Sequence, residues 1–144
     1  MSNAPIAEMR GTIAPPTLPT TQSKAQTIKS LAEPIDERHL RQLPKKTKTG
    51  TINLDYYPWA VLIKCLHART DSWDWQLNEI KTINEWIVVS GRLTIHCSDG
   101  DLIYEAVSSE AVATFGAPPI ETAASSCIRR ACALAGLGTS LWLD

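Results

Sequence analysis

The chain lacks a surplus of either charge: 14 basic residues against 15 acidic ones leave a formal net charge of −1 over 144 residues. No global field draws it toward DNA, RNA or acidic lipid, so any such binding has to come from local basic patches. It also lacks a Cys-x-x-Cys pair. Cys127 and Cys132 stand five apart on a helix-like segment, about 140° from each other on its wheel. With Cys65 and Cys97 they read as reduced, buried small hydrophobes rather than zinc ligands. No apolar run approaches the length of a membrane span, and no apolar stretch of signal-peptide type opens the chain. The expectation is a soluble, cytoplasmic protein with no membrane partner. Walker, Gly-x-Gly-x-x-Gly and His-Glu-x-x-His motifs are missing, and His39, His67 and His96 are scattered. These absences point to a protein that is not an enzyme and needs neither metal nor cofactor. Phenylalanine occurs once against five tryptophans, which are expected to serve the core and subunit contacts.

What is present fits one domain with a sizeable core. Residues 1–32 read as a disordered Pro/Thr/Ser-rich tail, with Pro5, Pro15, Pro16 and Pro19 and no sustained apolar period. The ordered domain is then expected over 33–144. Pro34 predicts a short helix from Ile35 to about Leu43, with Asp36 and Glu37 in its first turn. Arg38, Arg41, Lys45, Lys46 and Lys48 follow with no acid among them after Glu37, and Pro44 and Gly50 mark the later part as a loop. Pro58 then opens a second helix, whose Trp59, Leu62, Ile63 and Leu66 share one face through about Arg69. Asp71 and Asp74, which flank Trp73, read as turn chemistry rather than a metal pair.

From Trp73 the period changes to two. A first strand runs to Ile83. In a second, Ile87, Val89, Gly91, Leu93, Ile95 and Cys97 line one face, and Asp99-Gly100 signals a hairpin into a third from Leu102 to about Ala113. Phe115 to Pro119 reads as a turn. The closing helix is predicted from about Pro119 to Leu137. Ile120, Ala123, Ala124, Cys127, Ile128, Ala131, Leu134 and Ala135 form its apolar stripe, and Gly136 and Gly138 form its stop. On this wheel Arg129 lies opposite the stripe and Arg130 flanks it. Two adjacent arginines on an otherwise small-residue helix suggest an anion as partner. The order is helix, helix, three strands, helix: an α+β fold with an antiparallel three-stranded meander and a closing helix.

This order resembles the core of the Rad-fifty-two superfamily of single-strand annealing proteins, over roughly Leu40 to Leu143. Tyr56 and Trp75 stand where that family's first helix opens and ends, Asp99-Gly100 where its hairpin turns, and Arg129-Arg130-Ala131 with Gly136-Leu137-Gly138 where its closing helix carries a basic pair. The resemblance implies ATP-independent annealing of complementary strands in DNA repair and recombination, by a homo-oligomeric ring or helical filament associated with the nucleoid. It implies contacts to the backbone of single-stranded DNA through Arg129 and Arg130. Lys45, Lys46 and Lys48 match the family's basic loop by position, and Arg41 and Tyr56 complete the expected groove. A single-strand-binding protein would be a further partner. The sequence departs from the family at Val107-Ser108-Ser109-Glu110, where a glycine-rich step is usual, and at Asn84-Glu85, where a basic residue would help.

Three other readings compete. A double-stranded-RNA-binding module also ends in three strands and a helix, but it needs lysines where this chain has Pro119-Ile120-Glu121-Thr122. A small α+β enzyme or ligand-binding domain could grip a phosphate or carboxylate with Arg129 and Arg130. In an oligomeric scaffold the same arginines would pair with Glu79, Glu85 or Glu105.

Overall fold

Strict alternation between Ile87 and Cys97 gives the middle strand its two faces, and the fold is built on one of them. In the computed structural model, which describes residues 20–112 and 118–143, this is β4 (Trp86–Cys97). It pairs antiparallel with β3 (Ser72–Ile83) on one side and β5 (Gly100–Ala111) on the other. Val89, Leu93 and Ile95 are completely buried, each contributing roughly 1.5–3 kcal/mol by leaving water. Gly91 is in this row for lack of room: a Cβ there would overlap Cη2 and Cζ2 of Trp75 on the neighbouring strand. The turns follow local chemistry. Asn84, the one non-glycine at positive φ among the described residues, opens the β3–β4 turn. Ser98 and Asp99 make the β4–β5 turn, and Gly100 (φ 127°) starts β5.

The closing helix, α3 (Pro119–Leu134), lies across β4 and β5, with Pro119 in its first turn. Ala123, Cys127, Ile128, Ala131 and Cys132 are its buried residues, and the alanines let the backbone approach the sheet. Burial pushes the Cys132 thiol up to about 12, the behaviour of a packed hydrophobe rather than a reactive thiolate. Three members of the expected stripe fall outside the core: Ile120 at the helix start, the half-buried Ala124, and Leu134, 60% exposed, at its end. The helix stops earlier than expected, in a Schellman motif in which Gly136 N–H donates to Ala133 O and Leu137 N–H to Cys132 O. Gly136 (φ 112°) and Gly138 (φ 67°) turn the chain back into a 3₁₀ turn, Thr139–Trp142.

Two regions differ from the sequence-based expectation. Part of the expected tail is a helix, α1 (Lys24–Leu31), with Leu31 and Thr27 buried. A reciprocal capping box starts it, Ser23 accepting from Gln26 N–H while the Gln26 side chain accepts from Ser23 N–H. Asp71 accepts from the N–H groups of Thr21 and Gln22, Asp99 from that of Lys24, and the Arg69 guanidinium binds the carbonyls of Ser30, Leu31, Glu33 and Pro34. Residues from Thr21 onward therefore belong to the folded unit rather than to a tail. Residues 1–19 and the expected turn at Phe115-Gly116-Ala117 lie outside the described residues.

The second difference is the predicted helix over Ile35–Leu43. Only a 3₁₀ turn, Glu37–His39, forms there. Pro44 disfavours the helical conformation at Leu43, leaving too short a run to sustain a helix in water. The chain instead enters a hairpin, β1 (Arg41–Thr47) and β2 (Gly50–Tyr56), so Lys45 and Lys46 are on a strand rather than a loop and Lys48 is in the turn. Tyr56 consequently ends a strand, and the following helix, α2, spans Trp59–Arg69. The architecture is α+β with three α-helices and two antiparallel sheets among the described residues.

Candidate nucleic-acid interface

The side of α3 that faces away from the sheet is only partly open to water at Arg129. The base of the hairpin lies there, and Arg129 Cζ sits 5.5 Å from the centroid of the Tyr56 ring. Its recorded side-chain hydrogen bond runs from Nη2 to Ser126 Oγ at 2.9 Å. Burial holds this guanidinium below the ordinary arginine value and Arg130 pushes the same way, against Tyr56 and Glu110; an arginine nonetheless keeps its charge. Arg130 is exposed, with Cζ 5.6 Å from the centroid of Trp142, which the glycine reversal brings back over the helix. The wheel-based expectation is thus reversed. Arg129 is the half-buried member because Tyr56 covers its side of the helix, and Arg130 is the open one.

Among the described residues neither arginine forms an ion pair. The acids that a scaffold reading would assign to them are not used that way. Glu105 pairs with Arg92 at 2.6 Å and Glu79 with Lys81 at 3.3 Å, while Glu85 lies in the β3–β4 turn. Two adjacent cations therefore lie against aromatic rings without an ion pair among the described residues, Glu110 acting on Arg129 only from longer range. An arginine stacked in this way keeps most of its donors for a ligand.

The hairpin divides the remaining expected site residues. Arg41 faces Tyr56 across the ladder, but its Nη1 donates to the carbonyls of Arg38 and Leu40 and it does not line the cavity that Arg129 reaches. Lys45 alternates onto the same face as Arg41, Leu43, Ile52, Leu54 and Tyr56, about 13 Å farther out at strand rise. Lys46 lies on the opposite face with Gln42, Asn53 and Asp55, and Lys48 is in the turn. The structure thus joins Tyr56 and Arg129, leaves Arg41 on the ladder opposite Tyr56, sets Arg130 one position along the helix, and spreads the three lysines along a projecting arm.

Two cavities open on this region. One of about 290 Å³ lies between the hairpin base and the helix end, lined by Leu43, Leu54, Tyr56, Arg129, Leu141 and Trp142 among others. The other, about 430 Å³, lies between β5 and the end of α3, where Val107, Arg130, Leu134 and Trp142 line it. Trp142 was not among the residues expected at the site. Its only sequence signal is the glycine pair that precedes it, which announces a reversal toward the helix. No protein-family model and no curated protein matches this chain.

Proposed function

We propose that the protein binds single-stranded DNA along a basic groove and promotes annealing of complementary strands without nucleotide, as a ring or filament of identical subunits. The observation that carries this reading is the pair Arg129 and Arg130, adjacent on α3, propped on Tyr56 and Trp142, and without acidic partners among the described residues. Planar guanidinium groups suit phosphate, to which they can donate two bonds at once. Lys45 and Lys48 on the arm extend the positive track beyond the helix. One subunit carries too few such groups for tight binding, so repetition around an oligomer supplies the length of track that the net charge does not. β3 and β5, each a 12-residue edge of the described sheet, offer backbone for side-by-side association. Annealing is downhill once two strands are held in register, which agrees with the lack of an ATP motif in the sequence.

Labelled complementary oligonucleotides should pair faster with the protein than without it, equally with and without ATP. No acceleration in either condition overturns the reading. The double variant Arg129→Ala with Arg130→Ala should weaken binding and flatten the slope of log affinity against log salt by about 1.4, or about 0.7 for each lost phosphate contact. Unchanged affinity and slope would make the pair structural. The double-stranded-RNA alternative loses ground at Glu121, which occupies the first turn of α3 where that module needs lysine.

A further inference from the structure

Trp142 is placed as few large aromatics are: 54% exposed, folded back over a helix, and lining both cavities at once. Each cavity receives one arginine. Arg129 reaches the smaller and Arg130 the larger, and each guanidinium sits against one ring, of Tyr56 and of Trp142. Two compartments that each combine one arginine with apolar side chains therefore flank a single indole; each also has one carboxylate at its wall, Glu105 paired with Arg92 in the larger and Asp55 accepting from Gln42 in the smaller. Both fall toward the lower end of the roughly 300–1,000 Å³ typical of ligand sites, which suits one planar ring each rather than an extended molecule.

The lining decides what class of group enters. Bare phosphate would be served by the exposed cations of the arm and needs no apolar floor. Leu43, Leu54 and Leu141 on one side of Trp142, and Val107, Ala133 and Leu134 on the other, supply such a floor. A flat apolar ring joined to an anion matches all three components: apolar lining, aromatic face and unpaired guanidinium. A nucleotide has that composition.

We propose that Trp142 is a base-stacking wedge, and that it seats successive bases of a single strand in the two compartments, beside Arg129 and Arg130. This rests on the nucleic-acid reading above and adds to it that the groove holds bases as well as phosphates. Stacking uses the faces of the bases and leaves their pairing edges outward, so it is compatible with annealing. Arg129, with one side-chain bond recorded to Ser126, keeps most of its five donors for the phosphate or base acceptors at that position. Gly138 sets the wedge in place. Its left-handed conformation (φ 67°) starts the turn that ends at Trp142, and a Cβ there would lie 3.0 Å from Cδ2 of Tyr57.

The test compares an oligothymidylate with an abasic strand of equal length, at one salt concentration, by fluorescence anisotropy with the full chain. The parent should bind the strand with bases on the order of tenfold more tightly. Trp142→Ala should remove that preference, still bind the abasic strand, and keep the salt slope; Trp142→Phe should retain the preference. Melting curves of both variants establish that they fold. Equal binding of the two strands by the parent overturns the wedge while leaving phosphate binding intact. An undiminished preference in Trp142→Ala also overturns it, because the bases then stack elsewhere. If neither strand binds, the nucleic-acid reading fails and takes the wedge with it.

Discussion

The two sheets of this protein differ in what they bury. The β3–β4–β5 sheet hides one face of β4 beneath α3 and places Val89, Leu93 and Ile95 wholly out of water. The β1–β2 hairpin hides almost nothing: every residue of it is exposed except Tyr56, which is half-buried. A two-stranded hairpin on its own is marginal in water, yet this one carries Leu43, Ile52 and Leu54 on the same face as Lys45. On the covered face of the large sheet, apolar residues are positioned by the need to exclude water. In the arm they are not, and the base of the arm is where the candidate site begins. Burial and exposed basic side chains are thus divided between the two sheets, and mutations should separate their effects.

The largest effect is expected at the buried sheet and the helix that seals it. Leu93→Ala or Leu31→Ala should lower unfolding free energy by roughly 2–5 kcal/mol in urea titrations. A deletion that starts the chain at Glu33, which would be harmless if residues 1–32 were a tail, should sharply lower the melting temperature because it removes Leu31. A small change would break the distinction between sealed core and open arm.

Next in size is Gly91→Ala, which sets a methyl group against the Trp75 ring and should cost about 1–3 kcal/mol as overpacking. A smaller effect belongs to the face of the large sheet that α3 does not cover. There His96 sits between Asp101 (Nδ1 to Oδ1, 2.8 Å) and Asp74 (Nε2 to Oδ2, 3.3 Å). The Asp101 hydrogen bond chiefly, with help from Asp74, holds the imidazole above its ordinary value against the opposing effect of burial. A raised histidine stabilises fully below its unfolded value of about 6.5 and loses that contribution as pH rises through the folded value. The melting-temperature gap between the parent and His96→Gln should therefore narrow from about pH 5 to about pH 8.5. At this exposure the full effect is at most about 1 kcal/mol.

The smallest effect on stability is expected on the arm. Leu43→Ala and Lys45→Ala should each change unfolding free energy by no more than about 0.5 kcal/mol, while Lys45→Ala weakens binding to single strands. A large loss of stability in either variant would show that the arm is a structural part of the fold, and the division between the sheets would collapse.

Much of the large sheet was legible in the sequence because one periodicity governed it. The buried row of β4, the helix from Trp59 to Arg69 and the start of α3 at Pro119 all follow from residues that repeat at two or 3.6. The hairpin was not legible. Its turn, Lys48–Thr49, lacks the Asn-Gly or Asp-Gly signal, and lysine and proline interrupt its alternation. The short α1 was hidden in a Pro- and Thr-rich stretch, although the Ser23-x-x-Gln26 capping pattern marked its start. At the site, adjacency put both arginines on one helix, but a helical wheel cannot say what covers its far side. That depended on Tyr56 and Trp142, which reach the helix from distant positions in the chain.

A three-stranded antiparallel meander has a parity that a two- or four-stranded one lacks. Because β3 and β5 both run opposite to β4, they run in the same direction as each other. A second copy added edge to edge, with β3 of one against β5 of the next and little rotation between them, must meet in a parallel join with slanted, evenly spaced hydrogen bonds. Such a join leaves the same pair of edges free and can continue without limit. A copy added by a two-fold axis, β5 against β5, meets in an antiparallel join and repeats the same edge on both sides. Strand direction at the seam therefore tells subunits added head to tail from subunits related by a two-fold axis, before any particle is counted.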